Sequence, residues 1–132
     1  MPAVNWLAVI AAALSMFALG AVWYSPLLFV KPWAKAAGLA LGENLGGNFP
    51  LILGTSFVLT LVMAANLAFF VVGVPDLTTV VGYAVAAGLG WAALSLWVIS
   101  LFERRPFTYV LINGGYLTVG FAVMGLILGL WK

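Results

Sequence analysis

Residues 49–74, FPLILGTSFVLTLVMAANLAFFVVGV, contain no ionisable side chain. Crossing roughly 30 Å of hydrocarbon at 1.5 Å per residue takes about 20 apolar residues, so this run is long enough to span a bilayer. Gly73-Val74-Pro75-Asp76 then reverses the chain, and a second uncharged run, residues 77–102, follows at once. Two apolar runs joined by so short a connection have to lie side by side in opposite directions.

The same pattern extends in both directions. Residues 5–24 form an apolar run that continues to Val30, and residues 107–131 form another. The spans are therefore 5–30, 49–74, 77–102 and 107–131. The predicted fold is all-α: one integral membrane domain over residues 1–132, an antiparallel four-helix transmembrane bundle. Composition agrees, since 66% of the 132 residues are hydrophobic and 6% are charged, whereas soluble domains carry roughly a quarter charged residues. The first run has no cationic leader and continues into Trp23 and Tyr24, so it reads as a retained span rather than a signal peptide. Asn48 and Pro50 suit a helix start, Asp76 suits an N-cap, and Pro106 can open the last helix.

Lys31 and Lys35 lie between the first and second spans, Arg104 and Arg105 between the third and fourth, and Lys132 at the opposite side. The positive-inside rule places both basic loops, including the glycine-rich loop 31–48, in the cytoplasm. Both termini then lie outside, and the chain belongs in the inner membrane. Trp33-Ala-Lys35-Ala-Ala-Gly38-Leu39 has the character of a short interfacial helix.

The chain has no cysteine and no histidine, and all its ionisable side chains sit in loops or at helix ends. That composition leaves no disulfide, thiolate, metal cluster, paired carboxylate or Ser-His-Asp arrangement, and no buried acid or base for proton coupling. The reading is non-enzymatic and without a cofactor. A formal charge of +2 is too small and dispersed for nucleic-acid binding. Arg104 and Arg105 in FERRPF read as positive-inside anchors at the membrane face, with Glu103 partly neutralising them. There Arg104, Arg105 and Lys31 can also meet anionic lipid headgroups.

Within the spans the informative polar residues are Asn66 and Asn113. Each either bonds across to a neighbouring helix or lines a path for a polar solute. Trp91 reads first as core filling, with a small-molecule pocket as the alternative. Gly82, Ala86 and Gly90, the offset row Ala84, Gly88 and Ala92, and the pair Gly125 and Gly129 repeat small residues at helix-packing intervals. One such face is expected to be an interface to another protomer or protein.

VWYSPLLFVKPW, residues 22–33, is the densest aromatic block. Pro26 removes an amide donor and frees the carbonyl of Val22, which Ser25 or a neighbouring helix can satisfy. Trp23, Tyr24 and Trp33 match a boundary belt. A kinked extension over Leu27–Val30 would lie against FERRPF, letting Tyr24 or Ser25 meet Glu103.

Asn5, Gly20-x-x-Trp23-Tyr24-Ser25-Pro26 with Phe29 and Trp33, Gly90-Trp91, Glu103-x-Arg105 and Asn113-Gly-Gly-Tyr116 together resemble the bacterial and fungal membrane family known as domain of unknown function 1761. The resemblance covers essentially the whole chain. It implies a four-helix integral membrane protein and brings no activity with it. Small multidrug transporters need a membrane-embedded glutamate in the first span, which is lacking here, and the polar, phenylalanine-rich pattern of fluoride channels is missing too. The function expected is association, as a homo-oligomer or as an accessory subunit of a larger membrane complex. The alternative is a small channel or facilitator for a neutral or lipid-like solute.

Overall fold

The computed structural model describes residues 3–38 and 49–131. Among the described residues the regular structure is entirely helical: α1 (Trp6–Trp23), α2 (Val30–Ala37), α3 (Phe49–Val71), α4 (Leu77–Val85), a π-helical stretch (Ala86–Ala93), α5 (Leu94–Phe102) and α6 (Phe107–Leu130). Four helical stretches are long and apolar enough to cross a membrane: Trp6–Trp23, Pro50–Val71, Leu77–Phe102 and Phe107–Leu130. Of the expected caps, Asn48 lies outside the described residues, as does most of the loop before α3.

Side-chain caps set two of the helix starts. Asn5 accepts from the Ala8 amide at 3.2 Å while its Nδ2 donates to the Trp131 carbonyl at 3.1 Å. Asp76 takes both the amide and the hydroxyl of Thr79, at 3.0 and 2.8 Å. The bonds to the Ala8 and Thr79 amides each satisfy a donor that the first turn cannot pair internally.

The apolar run 5–30 is not one helix. α1 stops at Trp23, three residues short of Pro26, whose ring and missing amide end the α-helical ladder. The freed Val22 carbonyl accepts from both the Ser25 hydroxyl, at 2.6 Å, and the Ser25 amide, at 3.1 Å. Phe29 and Val30 then bond back to Trp23 and Ser25, and α2 starts three residues before the expected Trp33. Gly38 closes α2 in the left-handed region, at φ 75°.

α6 is the helix on which α1 and the third span pack. Along one side lies α1: Asn5 at its head meets Trp131 at the end of α6, and Trp23 at its tail meets Ile112 near the start of α6. Met16 fills the space left at Gly120, where a Cβ would stand 2.9 Å from its Cε. Along the other side lies the Leu77–Phe102 stretch. Cβ atoms at Gly125 and Gly129 would come within 2.4 Å of the Ala84 Cβ and 2.6 Å of the Leu77 Cδ1. α3 packs on α1, with Ala64, Leu67, Ala68 and Val71 joining Ala8, Val9, Ala12, Ala13 and Met16 in the core.

The third span carries a change of helical register. Its buried positions are Val80, Ala84, Gly88, Ala93 and Ser100. The first intervals are four residues; the next is five, and it falls inside the π-helical stretch. A π turn takes one more residue than an α turn, so the buried row stays against α6 after it would otherwise have drifted away. Ala93, rather than the Ala92 of the expected small-residue row, therefore meets Gly114, where a Cβ would sit 3.3 Å from the Ala93 Cβ. Gly88 lies against Phe121 and the Leu117 carbonyl.

Candidate functional site

The residues of the WYSP block converge on the start of α6. Trp23 Nε1 donates to the Ile112 carbonyl at 2.9 Å. Tyr24 donates to Asn113 Oδ1. Tyr116, one helical turn along α6, donates to the Met16 carbonyl at 3.1 Å. The Tyr24 ring sits edge-on to both Trp33 (5.3 Å) and Tyr116 (5.5 Å), and Trp23 lies 4.9 Å from Phe29. Two glycines make the approach possible. Cβ atoms at Gly20 and Gly115 would stand 3.2 Å from the Tyr116 hydroxyl and 3.0 Å from Trp23.

Burial is the main influence on the Tyr24 phenol, which sits just beyond the end of α1. It pushes the phenol well above its usual range, with Tyr116 and Tyr109 adding to the effect. Tyr24 is therefore a neutral donor, matched to the amide carbonyl it faces.

The second motif reaches this cluster through α2. Arg105 Nη1 donates to the Ala37 carbonyl at 2.9 Å, capping the last turn of α2, and its guanidinium lies 5.5 Å from the Tyr109 ring. Trp33, on the same short helix, touches Tyr24. Trp23, Tyr24 and Arg105 thus bear on one assembly, with α2 between them. Ser25 and Pro26 only shape the turn that leads to α2. Glu103 is exposed and meets neither Tyr24 nor Ser25, whose hydroxyls go to Asn113 and Val22. Arg104 is exposed and holds a left-handed backbone, φ 58°, where α5 ends. Lys31 is exposed on α2.

Asn66 and Trp91 lie elsewhere. Trp91 is 67% exposed, which overturns its reading as core filling: the π turn aims it away from α6 and towards Phe70 on α3, with ring centroids 6.2 Å apart. Asn66 is exposed on α3 and makes no hydrogen bond within the described residues, so the bond expected across to a neighbouring helix is not formed. Both line a groove of about 410 Å³ with Met63, Leu67, Phe70, Ala87 and Phe121. Ala86 borders the adjoining groove, of about 300 Å³. Gly82 and Gly90 have open space before them, whereas Gly125 and Gly129 are already occupied by the third span.

Sequence reasoning passed over Ser100, whose buried hydroxyl has no partner among the described residues, and the carbonyls of Met16 and Ile112, which accept from the aromatic cluster. A backbone acceptor leaves no mark on residue type. No group of three or more acidic, His or Cys side chains that could hold a metal occurs among the described residues.

The family described as Protein of unknown function (DUF1761) matches residues 7–129. The chain belongs to that family. The match takes in nearly the whole of all four apolar helices and the entire Trp23–Tyr24–Asn113–Tyr116 cluster, so the site lies inside the family's own boundaries. No curated protein and no solved structure matches the chain.

Proposed function

We propose that this family member is a non-catalytic protein of the inner membrane that works by helix–helix association, as a homo-oligomer or as an accessory subunit of a larger membrane complex. In this reading it is an antiparallel four-helix bundle. The pairing of the head of α1 with the end of α6, and of its tail with the start of α6, supports that arrangement. Both basic loops face the cytoplasm and both termini face outward. Exposed Lys31 and Arg104 stand at the headgroups, while Arg105 divides its donors between lipid and Ala37.

One observation carries the reading. The Asn113 carbonyl, which a polar solute would need, is taken by Tyr24. The Asn66 amide, by contrast, is exposed at the groove beside the third span and has no side-chain hydrogen bond among the described residues. An unpaired amide in hydrocarbon costs several kcal/mol on a roughly 2–7 kcal/mol scale. A neighbouring protein surface removes that cost, whereas lipid tails do not.

Mild solubilisation of native membranes, followed by mass determination of the purified particle, tests the reading. The expected mass exceeds that of one 13.9 kDa chain with its detergent. A strictly monomeric particle would overturn it.

A further inference from the structure

Deepening that association reading and resting on it, the geometry points to a second copy of this chain as the partner, seated along the outward seam of α3 with Asn66 opposite Asn66. The outward face of α3 has a regular spacing. Ile52, Thr55, Leu59, Val62, Asn66 and Phe69 are all exposed. They follow one another at intervals of three, four, three, four and three residues. That alternation is the a/d repeat of a left-handed helix pair, here running a, d, a, d, a, d. The opposite face of α3 is spent inside the chain, with Ala64, Leu67, Ala68 and Val71 buried in the core shared with α1. Towards its C-terminal end the seam is bordered by Trp6 of α1, edge-on to Phe69 with ring centroids 5.9 Å apart, and by the groove that Asn66 shares with Trp91 and Phe121, yet each of its six residues stays exposed.

The identity of the partner follows from Asn66. It stands six residues beyond Thr60, the centre of α3, which is about 9 Å along the axis. The hydrocarbon half-thickness is about 15 Å, so with α3 centred on the bilayer the amide lies within the apolar layer. It requires a group that both accepts and donates. An acyl chain offers neither. Identical chains inserted the same way run parallel, and a two-fold axis along the membrane normal sets each a position against its own copy. A primary amide carries one carbonyl and one NH₂, so two facing amides complete each other. A single polar Asn at an a position is also the device that fixes register and pair number in helix dimers. The flanking Leu59, Val62 and Phe69 then pack as knobs on either side.

The chain has no cysteine, so single-cysteine variants report contact without a background. Val62→Cys occupies a d position of the seam, while Leu111→Cys lies on the exposed side of α6. Under mild oxidation in membranes, Val62→Cys is expected to give a cross-linked dimer and Leu111→Cys to remain monomeric. Adding Asn66→Leu to Val62→Cys should lower the dimer yield about three- to tenfold, consistent with a membrane-buried polar contact of modest strength. Adding Asn66→Gln should retain most of it. An oligomer in the native particle with no cross-linking of the Val62→Cys variant, or with equal cross-linking of the Val62→Cys and Leu111→Cys variants, overturns the seam and leaves association standing. A heavier particle containing one copy with an unlike protein does the same. A monomer without cross-links overturns both.

Discussion

Changing Gly125 to Ala would introduce a Cβ 2.4 Å from the Ala84 Cβ. Carbon atoms rest at about 3.5–4.0 Å, so α6 and α4 would have to part by roughly 1 Å, or Ala84 would have to move with its backbone. Neither atom belongs to a flexible side chain that could swing aside. Overpacking of this kind costs about 1–3 kcal/mol. The structure also supplies a rescue. With Ala84→Gly the clashing atom is gone, and the next neighbours, the Val80 carbonyl oxygen and the Val81 Cα, are both 3.6 Å away. The double variant exchanges one alanine and one glycine between two helices, so intrinsic helix propensity nearly cancels. Reversible unfolding in mixed micelles, followed by far-UV circular dichroism, measures all four members of the cycle. We expect Gly125→Ala to lose about 1–3 kcal/mol and the double variant to recover most of that loss, a coupling of about 1–3 kcal/mol. If Gly125→Ala is as stable as the parent, or if the two changes merely add, the close α4–α6 contact is wrong.

Three further substitutions have defined outcomes. Tyr24→Phe leaves the Asn113 carbonyl without its donor and should cost about 1–3 kcal/mol in the same unfolding assay. Ser25→Ala, in a turn where Val22 keeps the Ser25 amide as a second donor, should cost less. Arg104→Gly removes the Cβ penalty of a left-handed residue and should raise stability by about 0.5–1 kcal/mol, read as a higher unfolding midpoint; a clear loss would mean that the Arg104 side chain holds the α5–α6 turn together.

The spans, the Pro75-Asp76 reversal and the WYSP stop are legible in the sequence because their causes are local. An uncharged run crosses hydrocarbon wherever its neighbours lie, Asp76 caps the turn beside it, and Pro26 ends the helix it interrupts. Trp23, Tyr24, Asn113 and Tyr116 stand out as polar or aromatic groups in apolar surroundings. Their pairing was not legible, and the expected meeting of Tyr24 or Ser25 with Glu103 does not occur. Residues 24 and 113 meet only because α1 and α6 lie side by side and Gly20 and Gly115 let them approach.

Facing direction is where local reading ends. A helix of a soluble protein shows its buried side through polarity, whereas a helix in lipid is apolar towards its neighbours and towards the solvent alike. Asn66 and Asn113 therefore look equivalent in the sequence, and only packing turns Asn113 towards Tyr24 and leaves Asn66 exposed without a partner among the described residues. The same holds for Trp91. The π turn in Ala86–Ala93, set by the need to keep Gly88 and Ala93 both against α6, sends the indole outward and moves the buried row from Ala92 to Ala93. Sequence alone determined that the chain is helical, apolar enough to span a membrane and broken at Pro26. Tertiary structure decided which side of each helix meets another, because in an apolar solvent that choice rests on the shape of glycines and methyl groups rather than on polarity.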